Sequence, residues 1–178
     1  MPLTPLHYPI AYFTYKLNKR LSLPGLIVGS MFPDLEIPFT ILFFGPKGPN
    51  RLILHSLLGS ATLGTFLAII FTVRVYPYLI NHLFNVDKKK VEGKCKLSFI
   101  MVFSIFVGIT SHVLLDTLNH PYSPVFWPFL YANATPSPIF FALGDPFGYV
   151  WLQIIMVALL VGLIIVKRKN LFQDLLVG

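Results

Sequence analysis

Leu97-Ser98-Phe99-Ile100-Met101-Val102-Phe103-Ser104-Ile105-Phe106-Val107-Gly108-Ile109-Thr110-Ser111-His112-Val113-Leu114-Leu115-Asp116-Thr117-Leu118-Asn119-His120-Pro121 is the stretch on which the reading of the whole chain turns. Up to Leu118 it is long and apolar enough for a membrane helix, which needs about 20 residues. Yet His112, Asp116 and His120 recur in its second half at spacings of four. Ionisable groups inside a membrane segment are costly and by default mark function. A spacing of four drifts by about 40° around a helix, so the three side chains share an arc of about 80°. From His112 to His120 the rise is about 12 Å, too far for one ion whose ligand bonds are about 2.0–2.2 Å. Two ions fit the spacing, with Asp116 between them as a bridging carboxylate. A pair about 3.5–4 Å apart would clamp an attacking water and a phosphate oxygen.

Composition agrees with a membrane reading. The 178 residues suffice for one domain, taken here as a single integral-membrane domain over 1–178. They are 55% hydrophobic and only 12% charged, against roughly 25% charged in soluble domains. Mean hydropathy is +0.72. The net charge of +7 is confined to clusters and forms no stripe interleaved with stacking aromatics, which excludes nucleic acid as an expected partner. A single cysteine, Cys95, rules out an internal disulfide and a thiolate cluster, so any metal is held by histidine and carboxylate. No removable signal peptide is expected from the opening Met1-Pro2-Leu3-Thr4-Pro5-Leu6-His7.

The expected fold is all-α: a polytopic helical bundle with four to five membrane helices. Tyr8 to Leu21 is short and amphipathic. Pro24 to Phe44 is apolar, with Pro33 and Pro38 set to kink or end it. Leu52 to Val73 is a span, with an interfacial continuation to about Phe84. Leu97 to Leu118 and Tyr149 to Val166 complete the set. Between Asn119 and Gly148 lies an outer loop rich in proline and aromatics, read as too proline-rich for a helix. Its Phe126, Trp127 and Phe129 suit the headgroup level. Gly59, Ser60 and Gly64 read as close helix packing, and Asp145 as a cap for the last helix.

Eleven of the fourteen basic residues fall in Lys16/Lys19/Arg20, Lys88/Lys89/Lys90/Lys94/Lys96 and Lys167/Arg168/Lys169. The positive-inside rule puts all three clusters in the cytoplasm. The expected location is thus the plasma membrane, multi-pass, with the N-terminus outside and the C-terminus cytoplasmic. Asn133-Ala134-Thr135 then forms a sequon in the outer loop. Alternation places His7, Asp34, His55, His112, Asp116 and His120 toward the outer face, from four different helices. Only His82 among the histidines falls elsewhere. The six are the candidate metal ligands. Zinc suits a histidine–carboxylate set, and manganese or iron also fit. The plainer alternatives remain open: a histidine can serve only as an interhelical hydrogen-bond donor, and Asp116 can pair with His112 as a buried ion pair.

The blocks Met1-Pro2-Leu3-Thr4-Pro5-Leu6-His7-Tyr8-Pro9, Gly29-Ser30-Met31-Phe32-Pro33-Asp34, Arg51-Leu52-Ile53-Leu54-His55-Ser56 and Ser111 to Pro121 resemble those of an uncharacterised prokaryotic integral-membrane family. That family is similar to the membrane-bound metal-dependent hydrolases and, more remotely, to the zinc phospholipase C and single-strand nuclease fold. The resemblance implies His7, Asp34, His55, His112 and Asp116 as ligands, with His120 at the histidine–proline position. Tyr8 separates histidine from proline in the opening block, and no His-x-x-x-Glu pair follows the main motif.

Two functions are expected on these grounds. The first is a metal-dependent hydrolase of a phosphoester or ester on a lipid or lipid-linked substrate at the outer face. Its attacking water would be metal-activated, with Asp34 or Glu36 taking the proton. The second is a non-catalytic accessory subunit with a structural metal or a polar network, docked against other membrane subunits or a second copy of itself. A transporter fits poorly, because the chain shows no inverted repeat.

Overall fold

The computed structural model describes residues 4–46, 48–49, 51–130, 135–166 and 171–178. The sequon residues Asn133 and Ala134 and the basic cluster Lys167/Arg168/Lys169 lie outside the described residues. The architecture is an all-α bundle. A 3₁₀ turn, Thr4–His7, leads into α1 (Tyr8–Leu17). Then come α2 (Leu23–Phe44), α3 (Leu57–Phe84), α4 (Lys88–Lys94) and α5 (Phe99–Asn119). A two-residue antiparallel pairing joins Tyr122–Ser123 to Thr135–Pro136. After it come α6 (Pro138–Leu143), α7 (Phe147–Val166) and α8 (Leu171–Leu176). Among the described residues four helices, α2, α3, α5 and α7, are long and apolar enough to cross a membrane. The ten-residue α1 is too short to add a fifth. Exposed Phe39, Leu42, Phe43, Phe66, Ile154 and Val166 on these helices suit hydrocarbon and would be a liability in water. The chain is a membrane protein.

Local sequence explains where the helices begin. Ser22 caps α2 by accepting the Gly25 N–H, and Ser98 caps α5 by accepting the Met101 N–H. Within α2 the two prolines do not end the helix. The segment Phe32–Leu35 tightens to a 3₁₀ turn around Pro33, and the α-helix resumes at Glu36 with Pro38 in its first turn, where no N–H is needed. In α3 two π-helical turns, Ser60–Gly64 and Phe71–Val75, widen the coil, the second just ahead of Pro77.

Three expectations are corrected. α3 starts at Leu57, capped by Ser56, rather than at Leu52, and it runs unbroken to Phe84. His55 therefore sits ahead of that helix, not one turn inside it. The proline-rich loop does contain a helix, α6, because Pro138 occupies its first position and Ser137 accepts the Phe140 N–H. At the start of α7 the Gly148 and Tyr149 N–H groups donate to the carbonyls of Gly144 and Pro146, not to the Asp145 carboxylate.

The helix pair that positions the site is α2 against α5. Its contact is made by glycines. A Cβ at Gly108 would lie 2.6 Å from the Leu26 carbonyl oxygen and 2.9 Å from the Ser30 nitrogen. A Cβ at Gly29 would collide with the Ile105 carbonyl. Backbones this close let Leu26, Met101, Ile105 and Ile109 bury fully between the helices. They also put the Ser30–Asp34 segment directly against His112.

Candidate metal centre

All six expected ligands converge, and all six are buried. His112 and Asp116 project from the last turns of α5. Asp34 comes from the 3₁₀ turn within α2, His7 from the turn before α1, His55 from the segment before α3, and His120 from just past the end of α5. The tight turn at Pro33 is what brings Asp34 to the α5 face.

Four atoms form the heart of the site. His55 Nε2 lies 3.6 Å from Asp34 Oδ1 and 3.6 Å from Asp116 Oδ2. His112 Nε2 lies 3.5 Å from Asp34 Oδ1 and 3.7 Å from Asp116 Oδ2. These separations are too long for good hydrogen bonds. They fall near the spacing of neighbouring ligands about one small divalent ion, about 3.3–3.6 Å for ligand bonds of about 2.0–2.2 Å. His120 Nε2 lies 3.9 Å from the other Asp116 oxygen, Oδ1. The His7 ring stacks on His112 with centroids 4.0 Å apart. Two overlapping triads, His7/His112/Asp116 and Asp34/His55/His112, can each hold a metal ion, with donor atoms within 4.8 Å of one another.

The imidazoles are oriented from behind. His112 Nδ1 donates to the Ser30 carbonyl at 2.8 Å. His55 Nδ1 donates to Glu36 Oε2 at 3.0 Å. A carbonyl and a carboxylate only accept, so both protons sit on Nδ1 and both Nε2 lone pairs face the centre. This is how metal-binding histidines are held. Glu36, expected as a possible proton acceptor, thus stands behind His55. It also accepts the N–H groups of Ile53 at 2.6 Å and Leu54 at 3.0 Å, which pulls the 53–55 backbone toward α2. Glu36→Gln is expected to weaken metal affinity by about 10–100-fold while leaving the helices intact. Competition against a chelator of graded strength measures this, and an unchanged affinity would contradict the orienting role.

The remaining donors are left over. His7 Nδ1 and Nε2, Asp34 Oδ2, and the Nε2 atoms of His55, His112 and His120 are buried with no hydrogen-bond partner among the described residues. Unsatisfied buried polar atoms are rare in native proteins and cost about 1–3 kcal/mol each. A cluster in which each ring and the Asp34 carboxylate still offer a lone pair fits a divalent cation. Burial, followed by the charges around them, lowers the His7 pKa to about 4 and the His120 pKa to about 3, so both rings are neutral and free to ligate near pH 7.

One residue of the site escaped the sequence reading. Arg51 opens the block Arg51-Leu52-Ile53-Leu54-His55-Ser56 but carries no role in the sequence reading. Its Nε donates to Asp116 Oδ2 at 3.0 Å, and its side chain is 10% exposed. Its place four residues before His55 was the available signal. His82, by contrast, stacks on Tyr78 away from the cluster, as expected.

Fold and site together define a multi-span helical membrane protein with a buried histidine–aspartate centre. The chain belongs to the family described as a domain of unknown function, DUF4184, whose model matches residues 1–173. That match carries no link to the membrane-bound metal-dependent hydrolases or to zinc phospholipase C. No curated protein and no solved structure matches the chain.

Proposed function

We propose that the protein is a membrane-embedded, metal-dependent hydrolase acting on a phosphoester or ester of a lipid or lipid-linked substrate. The observation that carries this reading is the convergence of unpaired donor atoms from His7, Asp34, His55, His112 and His120 around Asp116. Their number exceeds what one ion needs. Asp34, His55 and His112 can hold one ion, while His7 and Asp116, with His120 beside the second Asp116 oxygen, remain for another. Zinc is the preferred ion for such a set, with manganese and iron as alternatives. A bound divalent ion would supply Lewis acidity and lower the pKa of water at the centre. The chain's own part is to hold that centre within the bundle, shielded from bulk solvent, and to accept a proton at the unpaired Asp34 Oδ2.

A lipid substrate is favoured by position. The ligands sit in and beside membrane-spanning helices, at the end of α5 away from the basic segment Lys88–Lys94. With that segment cytoplasmic, the centre faces the outer leaflet and the chain leaves α7 on the inner side. An apolar groove of about 370 Å³ includes Thr4, Tyr8 and Leu35, close neighbours of His7 and Asp34 in the chain, and extends along α2 and α3 to Phe84. It suits a hydrocarbon chain.

A second reading is favoured by one feature: all six candidate ligands are buried, and a site filled entirely by buried protein ligands is typical of structural metal centres. The protein would then be a stapled, non-catalytic subunit. Metal-loaded protein in mild detergent, assayed against lipid phosphoesters and carboxyl esters, separates the two. Turnover that disappears in Asp34→Asn upholds the hydrolase. Stoichiometric metal with no turnover on any ester class supports the subunit.

A further inference from the structure

We infer that Arg51 makes this centre a binding site for a tetrahedral oxyanion, so that the reactive group of the substrate is a phosphoryl group rather than a carboxyl ester. The inference rests on the metal reading above and deepens it. Arg51 is permanently charged, and its side chain is nine-tenths buried. Only one of its contacts to the site is made: Nε to Asp116 Oδ2 at 3.0 Å. Nη2 is buried with no partner among the described residues. Nη2 lies on the same edge of the planar guanidinium as Nε, and the N–H groups of that edge point in parallel. A donor of Nη2 is therefore directed alongside the Arg51–Asp116 bond, toward the ligand ring.

A purely structural role accounts poorly for this arrangement. An arginine serving only to neutralise Asp116 would be expected to engage it bidentately through that edge, satisfying both nitrogens. A centre built only to retain a metal gains nothing from a fixed cation on one of its ligands, since the two positive charges repel. Both difficulties vanish if an anion occupies the space, bridging the guanidinium and the ion. A phosphoryl group offers charged oxygens in several directions, and arginine is the side chain suited to reading them. A neutral carboxyl ester presents a single carbonyl oxygen and would leave Arg51 Nη2 without an anionic acceptor. The same shared chemistry is offered by free inorganic phosphate and by the phosphomonoester headgroup of a lipid.

The test uses full-length protein in mild detergent: wild type, Arg51→Gln and Arg51→Lys, each loaded with zinc. Metal content is read by elemental mass spectrometry, and anion binding by calorimetry. The probes are inorganic phosphate, nanodiscs containing phosphatidic acid, and phosphatidylcholine nanodiscs as the control. Wild type is expected to bind phosphate or phosphatidic acid, and whichever binds identifies the source. Arg51→Gln is expected to keep its metal and lose at least tenfold in anion affinity, with Arg51→Lys in between. Wild type that holds metal but binds neither anion overturns the inference and leaves the metal reading standing. So does Arg51→Gln with both metal and wild-type anion affinity. If Arg51→Gln fails to fold, Arg51→Lys decides, because loss of the planar edge alone must weaken the anion. Wild type without metal sinks the metal reading, and the inference with it.

Discussion

His112→Ala is expected to purify without bound metal. His112 belongs to both triads at the centre and is completely buried, so its removal takes a ligand from whichever triad holds the ion. The vacated volume lies under the stacked His7 ring, which loses its neighbour as well. Altering a residue that only orients a ligand costs about 10–100-fold in affinity, and losing the ligand itself costs more. Elemental mass spectrometry should therefore find one equivalent or more in the wild type and less than a tenth of that in the variant. His82→Ala provides the control, since that ring packs against Tyr78 and not against the cluster. A linked expectation concerns stability: an ion present at about 1,000 times its Kd stabilises the folded state by about 4 kcal/mol. Chelation should lower the melting temperature of the wild type and leave His112→Ala unmoved. A folded His112→Ala protein with full metal content would remove the centre from consideration.

Gly108→Val is expected to be strongly damaging although Gly108 supplies no ligand. The new Cβ would stand 2.6 Å from the Leu26 carbonyl oxygen and 2.9 Å from the Ser30 nitrogen. Both are backbone atoms, so no side chain can swing aside, and α2 must move off α5. That separation also breaks the 2.8 Å bond from His112 Nδ1 to the Ser30 carbonyl. Overpacking of a core commonly costs about 1–3 kcal/mol, and a clash of backbone against backbone belongs at or above the top of that range. Little folded protein is expected, and what folds should carry less metal. Gly162→Val, on α7, meets nothing within 4 Å and should melt with the wild type. Equal melting of the two valine variants would mean that the α2–α5 contact is looser than the glycines imply.

Much of this was legible in the chain because it depends on local arithmetic. The spacing of His112, Asp116 and His120 is a property of one helix. The gathering of Asp34 and His55 follows from alternating spans, whatever the side-chain detail, whereas His7 precedes a helix too short to be one of them. What was not legible depends on partners distant in the chain. Glu36 carries the same charge whether it faces the centre or stands behind His55. Only the N–H groups of Ile53 and Leu54, seventeen and eighteen residues on, decide between the two. Arg51 looked like a surplus basic residue because its carboxylate partner is sixty-five positions away. The helix at Pro138 was missed for a different reason. The number of prolines between Asn119 and Gly148 outweighed the position of this one, directly after a serine able to cap.

The ligands are drawn from positions as far apart as His7 and His120. An ion bound among them is therefore a cross-link that closes a loop of more than a hundred residues. Tying distant points together removes more freedom from the open chain than tying near ones. In a bilayer the constraint has a particular consequence, because spans insert individually before they associate. The helices owe their existence to the hydrocarbon around them, and their mutual arrangement to what joins them. Without the metal the chain would stay inserted and helical, with α2 and α5 still joined through their glycines, but the segments carrying His7, His55 and His120 would lose the tie that holds them to α5.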